Sequence, residues 1–273
     1  MRHKALCLLL IPILLATACS RLTFVRPKGK MGQLAGQEEV EDYAVRDSPE
    51  VKRRQAVHTI LARSMQRLQA GEFEAAGKEA RAALKLDPGS ADALTLLAVS
   101  EDRQGRLQSA GELYRRAADV APRDGSTQNN YGTWLCANGF AAESLVWFDR
   151  AVQAPGYATP AAALANAGSC ALKAGQVERA SRDLRQSLAM DSANAVSLEA
   201  MAELEFRRQQ YLSARAFVER RLAAGPASPA VLKLASQIEE RLGDKAAASR
   251  YVQRIRAEFP DAQDVNSGGN AGP

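Results

Sequence analysis

The chain has 273 residues, of which 46% are hydrophobic, 25% charged and 5% aromatic, and a formal net charge of +5. That hydrophobic fraction excludes wholesale disorder, and the aromatic content is low for a sandwich or barrel that leans on Tyr, Trp and Phe. Four Cys and two His exclude a small disulfide-framework protein and leave little material for a metal enzyme.

Arg2 and Lys4 precede an apolar stretch from Ala5 to about Ala16, interrupted by Pro12. It is shorter than the ~20 residues that span a bilayer. Residues 1–18 therefore read as a secretory signal peptide. The stretch ends in Leu15-Ala16-Thr17-Ala18-Cys19. Small residues just before a Cys resemble the lipobox of bacterial lipoproteins, in which the Cys is lipidated and becomes the new N-terminus. The resemblance implies lipid attachment at Cys19; ordinary cleavage after Ala18 is the other reading. Ala16 stands where that family usually has Leu, with Leu15 one place further back. Ser20 rather than Asp follows the Cys, which in such lipoproteins implies the outer membrane. Removal of residues 1–18 takes away Arg2 and Lys4 and no acid, so the net charge falls from +5 to +3. A nucleic-acid partner then loses its electrostatic basis.

Residues 19–56 are expected to form a lipidated N-terminus and flexible tether. Gly29, Gly32 and Gly36 punctuate it, and an acidic run follows from Glu38 to Asp42. A coil of about 35 residues reaches ~30 Å on average.

From residue 57 a repeat takes over. Gly71, Gly105, Gly139, Gly175, Gln209 and Gly243 are spaced by 34, 34, 36, 34 and 34 residues. Five residues after each comes Ala76, Ala110, Ser144, Ala180, Ala214 or Ala248. Pro88, Pro122, Pro226 and Pro260 close four of the units. A Gly ends the first helix of a hairpin in a left-handed conformation. The small residue lets the second helix come close, and the Pro stops it. The pattern resembles the tetratricopeptide repeat. It implies an all-α solenoid of six helix hairpins over residues 57–262, wound as a right-handed superhelix, with a disordered tail at 263–273. The two extra residues fall in the segment from Tyr157 to Pro160.

Such a solenoid presents a concave groove lined by the first (A) helices, which is a binding surface rather than by default an active site. Groove positions are expected at Met65, Leu68, Val99, Asn129, Asn130, Thr133, Asn166, Ser169, Leu172 and Lys173. The surface is mostly apolar and neutral, which suits a partner read by its backbone or apolar side chains. Asn130 and Asn166 share the sixth position of the third and fourth repeats. An amide both donates and accepts, so the pair could read a peptide backbone; equally, each Asn could cap or bridge neighbouring helices. Gly132 and Gly168 share the eighth position, where a small residue permits close packing. Trp134, Trp147 and Tyr131 are expected in the core. Glu199, Glu203 and Glu205 are expected on a solvated helix face. Cys136 and Cys170 lie 34 residues apart on neighbouring A helices. A disulfide is favoured in an oxidising compartment, with two buried thiols as the alternative.

The stretches NNYGTWLCANG (129–139) and ALANAGSCALKAGQ (163–176), with the lipobox and the repeats, resemble the type IV pilus biogenesis and stability lipoproteins of the PilF/PilW family. The resemblance implies an outer-membrane pilotin: a lipid-anchored protein on the periplasmic face that binds secretin subunits, promotes their localisation and multimerisation, and so supports twitching motility. A general periplasmic assembly scaffold for another pilus or secretion system is the second reading. Neither involves a cofactor, a small-molecule substrate or catalysis. His58 is the one His outside the signal peptide, and no nucleophile elbow or phosphate loop stands out.

Overall fold

The computed structural model describes residues 47–260. The expected signal peptide, the expected lipid site at Cys19, the expected tether before residue 47 and the tail from 261 lie outside the described residues. Twelve α-helices and no strand occur among the described residues. In chain order they are α1 (Pro49–Gln69), α2 (Phe73–Leu86), α3 (Ala91–Arg103), α4 (Leu107–Val120), α5 (Gly125–Ala137), α6 (Ala141–Gln153), α7 (Pro160–Lys173), α8 (Val177–Met190), α9 (Ala195–Arg207), α10 (Tyr211–Ala224), α11 (Pro229–Leu242) and α12 (Lys245–Glu258). Each odd-numbered helix packs against the even-numbered helix that follows, giving six hairpins.

The repeat residues do what their chemistry allows. Gly71, Gly105, Gly139, Gly175 and Gly243 all have positive φ, from 74° to 93°. They turn the chain out of each A helix without the steric cost a Cβ would bring. Gln209 holds the same left-handed conformation at φ 61° despite its side chain. Ala76, Ala110, Ser144, Ala180, Ala214 and Ala248 are all buried. Gly132 and Gly168 mark equally close approaches. A Cβ on Gly132 would meet Phe148 Cε1 at 2.9 Å, and one on Gly168 would meet Leu184 Cγ at 2.5 Å. The insertion before α7 places Tyr157 against Gly125, where a Cβ would meet its ring at 2.5 Å.

Most A helices start from side-chain caps. Ser48, Ser90, Asp124, Asn194 and Ser228 each accept a hydrogen bond from a backbone N–H in the first turn. Ser48 and Pro49 start α1 eight residues before the expected repeat boundary at 57. The stretch assigned to the tether thus supplies the first two turns of a 21-residue helix. A Ser cap with Pro at the first helical position is a helix-start signal, and it overrides the repeat count there.

Successive A helices touch one another along the array, and each B helix before α12 packs between its own A helix and the next. The A helices therefore line the inner face. The core is a chain of inter-repeat clusters, the largest around Phe148, Leu184, Met201 and Leu204. Glu101 is buried with Arg81 and Arg106 bonded to its two oxygens. Glu239 is buried against Arg215. The Arg81–Glu101 and Arg215–Glu239 pairs each tie an A helix to the preceding B helix, and Arg106 bonds Glu101 from the turn after α3.

Candidate functional site

The inner face changes character along its length. At the first two repeats it is an apolar recess of about 410 Å³, lined by His58, Leu61, Ala62, Met65, Asp92, Thr95 and Leu96. Met65 is 52% exposed there. Leu68 and Val99 are half-buried. Val99 packs against the Ala98–Ala110–Tyr114 cluster, which draws it away from the open surface.

The third and fourth repeats contribute amides and hydroxyls from α5 and α7. Asn166 Nδ2 donates to Asn129 Oδ1 at 3.0 Å and to Thr133 Oγ1 at 3.4 Å. The Thr133 hydroxyl donates in turn to the Asn129 carbonyl at 2.8 Å. Of the two Asn at the sixth position, Asn166 thus bridges neighbouring helices, and its partner on α5 is Asn129. Asn129 and Thr133 are four residues apart, so they share one face of α5, and that face meets α7. Asn166 bridges helices through its NH₂, while its carbonyl oxygen accepts no side-chain bond among the described residues. Asn130 and Ser169 are half-buried, and Thr133 and Lys173 are exposed.

Leu172 departs from the expected groove. It is only 2% exposed and belongs to the core cluster of Phe148 and Leu184. It stands at the twelfth position of its repeat, as Cys136 does in the preceding one. Both side chains turn inward at that position. Cys136 of α5 and Cys170 of α7 are buried in the same cluster, with Cα atoms 5.9 Å apart and sulfurs bonded. The bond joins the two helices that carry the amides.

Toward the fifth repeat the face becomes charged. Glu203 pairs with Arg207, whose Nη1 also donates to the Leu172 carbonyl at 3.2 Å. Glu199 lies 3.5 Å from Arg221. Glu205, expected on a solvated face, is mostly covered beside Arg208 at 3.5 Å. Position decides this: Glu205 falls where α9 meets α8 and α10, next to Met201 and Phe217.

Tyr131 and Trp134 are half-buried and pack against the Ala98–Ala110–Tyr114 core cluster, and Trp147 is half-buried as well. Trp134 lies against Gly111 of α4, where a Cβ would approach its ring to 2.3 Å. Its Nε1 is buried without a hydrogen-bond partner among the described residues. No cluster of three or more His, Cys, Asp or Glu suited to a metal ion occurs among the described residues. None of the described helices is long and apolar enough to cross a membrane.

Residues 61–127 match the tetratricopeptide-repeat family. Over 194 residues the chain is 28% identical to the type IV pilus assembly protein PilF of Pseudomonas aeruginosa, covering 71% of this chain and 77% of that protein. The crystal structure of PilW, a widely conserved type IV pilus biogenesis factor, superposes with a TM-score of 0.70 at 26% identity, covering 78% of this chain and 98% of PilW. A structure of Pseudomonas aeruginosa PilF shares the fold with a TM-score of 0.68 at 24% identity, over 80% of this chain and 99% of that one. The described residues thus form an all-α solenoid of tetratricopeptide-repeat fold, and the chain is similar in sequence and structure to the type IV pilus biogenesis proteins PilF and PilW.

Proposed function

We propose that the protein is an outer-membrane pilotin of a type IV pilus. Lipid at Cys19 holds it on the periplasmic face, and the inner face of the solenoid captures a secretin subunit. The observation that carries this reading is the similarity to PilF across 71% of the chain. The groove's chemistry supports it. The apolar recess at the first repeats suits apolar side chains, and the amide and hydroxyl groups of α5 and α7 suit an extended backbone. Anchoring converts repeated capture into a high local concentration of subunits at one membrane, which favours ring assembly. The solenoid acts by binding and positioning, with no bond made or broken.

Replacing Cys19 by Ala tests the anchoring. The expected outcome is loss of the protein from outer-membrane fractions and of secretin multimers with it. Normal secretin multimers in that variant would contradict the role. A different assembly recovered with the wild-type protein would favour the general scaffold reading.

A further inference from the structure

The outer face of the second and third repeats carries another recess, built differently from the groove. It measures about 310 Å³ and lies between α4 and α6, over α5. Tyr131 and Trp134 of α5 line it, and Phe140, 47% exposed, stands at its side. Glu112 comes from α4 and Glu143 from α6, so each flank supplies a carboxylate. Arg115 also lines the recess but lies 3.7 Å from Asp119. Glu112 accepts a hydrogen bond from Gln108 Nε2 at 3.3 Å, and neither Glu112 nor Glu143 has an ion pair among the described residues. The Tyr131 hydroxyl is held above its ordinary pKa by burial, with the positive charge of Arg115 opposing and Asp119 and Glu143 adding to the rise. Two carboxylates against one guanidinium leave the lining with a net negative charge.

The same aromatic cluster already holds one cation. Tyr131 meets Trp147 edge-on at 4.6 Å between centroids, and the Arg150 guanidinium lies 4.5 Å over the Trp147 ring. An aromatic face attracts a cation through its quadrupole, and a guanidinium stacks there better than an ammonium. The recess lies at the Trp134 end of this aromatic surface, and of its three charged lining residues, Glu112, Arg115 and Glu143, only Arg115 has an ion pair among the described residues. We propose that this recess is a second binding site, separate from the inner groove, that takes an arginine side chain from a basic segment of a partner protein. The guanidinium stacks on the aromatic side chains while Glu112 and Glu143 pair with it.

Both tryptophans of the chain, Trp134 and Trp147, lie in this cluster, so intrinsic fluorescence reports on it directly. The experiment titrates the purified protein with tetra-arginine amide, and with tetra-glutamate of the same length for comparison. One stacked cation and two exposed pairs correspond to an affinity of about millimolar. The expected result is a saturable change in tryptophan emission with tetra-arginine alone. Glu112→Gln with Glu143→Gln should weaken it several-fold at unchanged helicity, because both residues are exposed. Asn129→Ala with Asn166→Ala, on the inner face, should leave it intact. Trp147→Phe should retain the change, with Trp134 as the reporter. No saturable change, an equal change with tetra-glutamate, or a change that survives the double Glu substitution would overturn the proposal.

Discussion

At Gln209 the backbone takes a left-handed turn that the other hairpins give to glycine. A side chain in that conformation costs about 1–2 kcal/mol, partly offset because glycine is freer in the unfolded chain. Gln209→Gly should therefore stabilise the protein by about 0.5–1 kcal/mol. Gly168→Ala should do the opposite. Its Cβ would meet Leu184 Cγ at 2.5 Å, and overpacking of ~1–3 kcal/mol outweighs the ~1 kcal/mol gained in helix propensity. Thermal unfolding of both variants checks the two signs, at about 2–4 °C per kcal/mol. Both positions were legible in the sequence, because a fixed spacing assigns each a place in the hairpin. The side-chain pairing at Asn166 was not. Repeat arithmetic aligns Asn166 with Asn130, but neighbouring helices meet on the face that Asn129 and Thr133 share. Which positions meet across two helices depends on how they are rotated against each other, and a linear register does not carry that information. Leu172 does carry a signal of its burial: it shares the twelfth repeat position with Cys136, whose bond to Cys170 turns that position inward.

The element scale concerns what holds helices of different repeats together. Nearest-neighbour contacts supply most of the stability of a solenoid, so a covalent link between repeats adds to it directly. The bond between Cys136 and Cys170 closes a separation of 34 residues. In the chain-entropy model that contributes about 3–4 kcal/mol. Urea unfolding with and without a reductant should show a loss of that size; identical curves would mean the bond contributes nothing. A second link is ionic. Glu101 is held below the ordinary carboxylate range, chiefly by the hydrogen bond from Arg106, with Arg81 adding to it and burial opposing. Its folded pKa lies below its unfolded one, so its contribution is complete above the unfolded value. It is lost as pH falls through the ordinary Glu range of about 4.3 toward the lowered one. Glu101→Gln should flatten the decline of stability from about pH 6 to about pH 3, read from urea midpoints. The hairpins were legible from glycine, alanine and proline spacing. The start of α1 was not, because it precedes the first repeat and is set by Ser48 and Pro49 instead.

For the whole molecule, the six hairpins leave an inner face graded from apolar through amide to charged. That gradient comes from which side chains occupy equivalent positions of successive repeats: Met65, then Val99, Thr133, Ser169 and Glu203 at the ninth. It was partly legible, since the repeat assigns these positions to the A helices. The outer aromatic recess was not. Tyr131 and Trp134 do pack against the core as their sequence suggests, but only the absence of a side chain at Gly111 lets the indole settle against α4, between flanks that bring Glu112 and Glu143 to one recess. The reading of the protein as a pilotin stands on what the inner face captures in the cell. A photo-crosslinking residue in place of Thr133, which is exposed at the centre of that face, measures this directly in intact envelopes. Irradiation should join the protein to a type IV pilus secretin, and the adduct should weaken when Asn129 and Asn166 are replaced by Ala. Adducts only to proteins of another assembly, or none to secretin while the protein and pilus are both present, would contradict it.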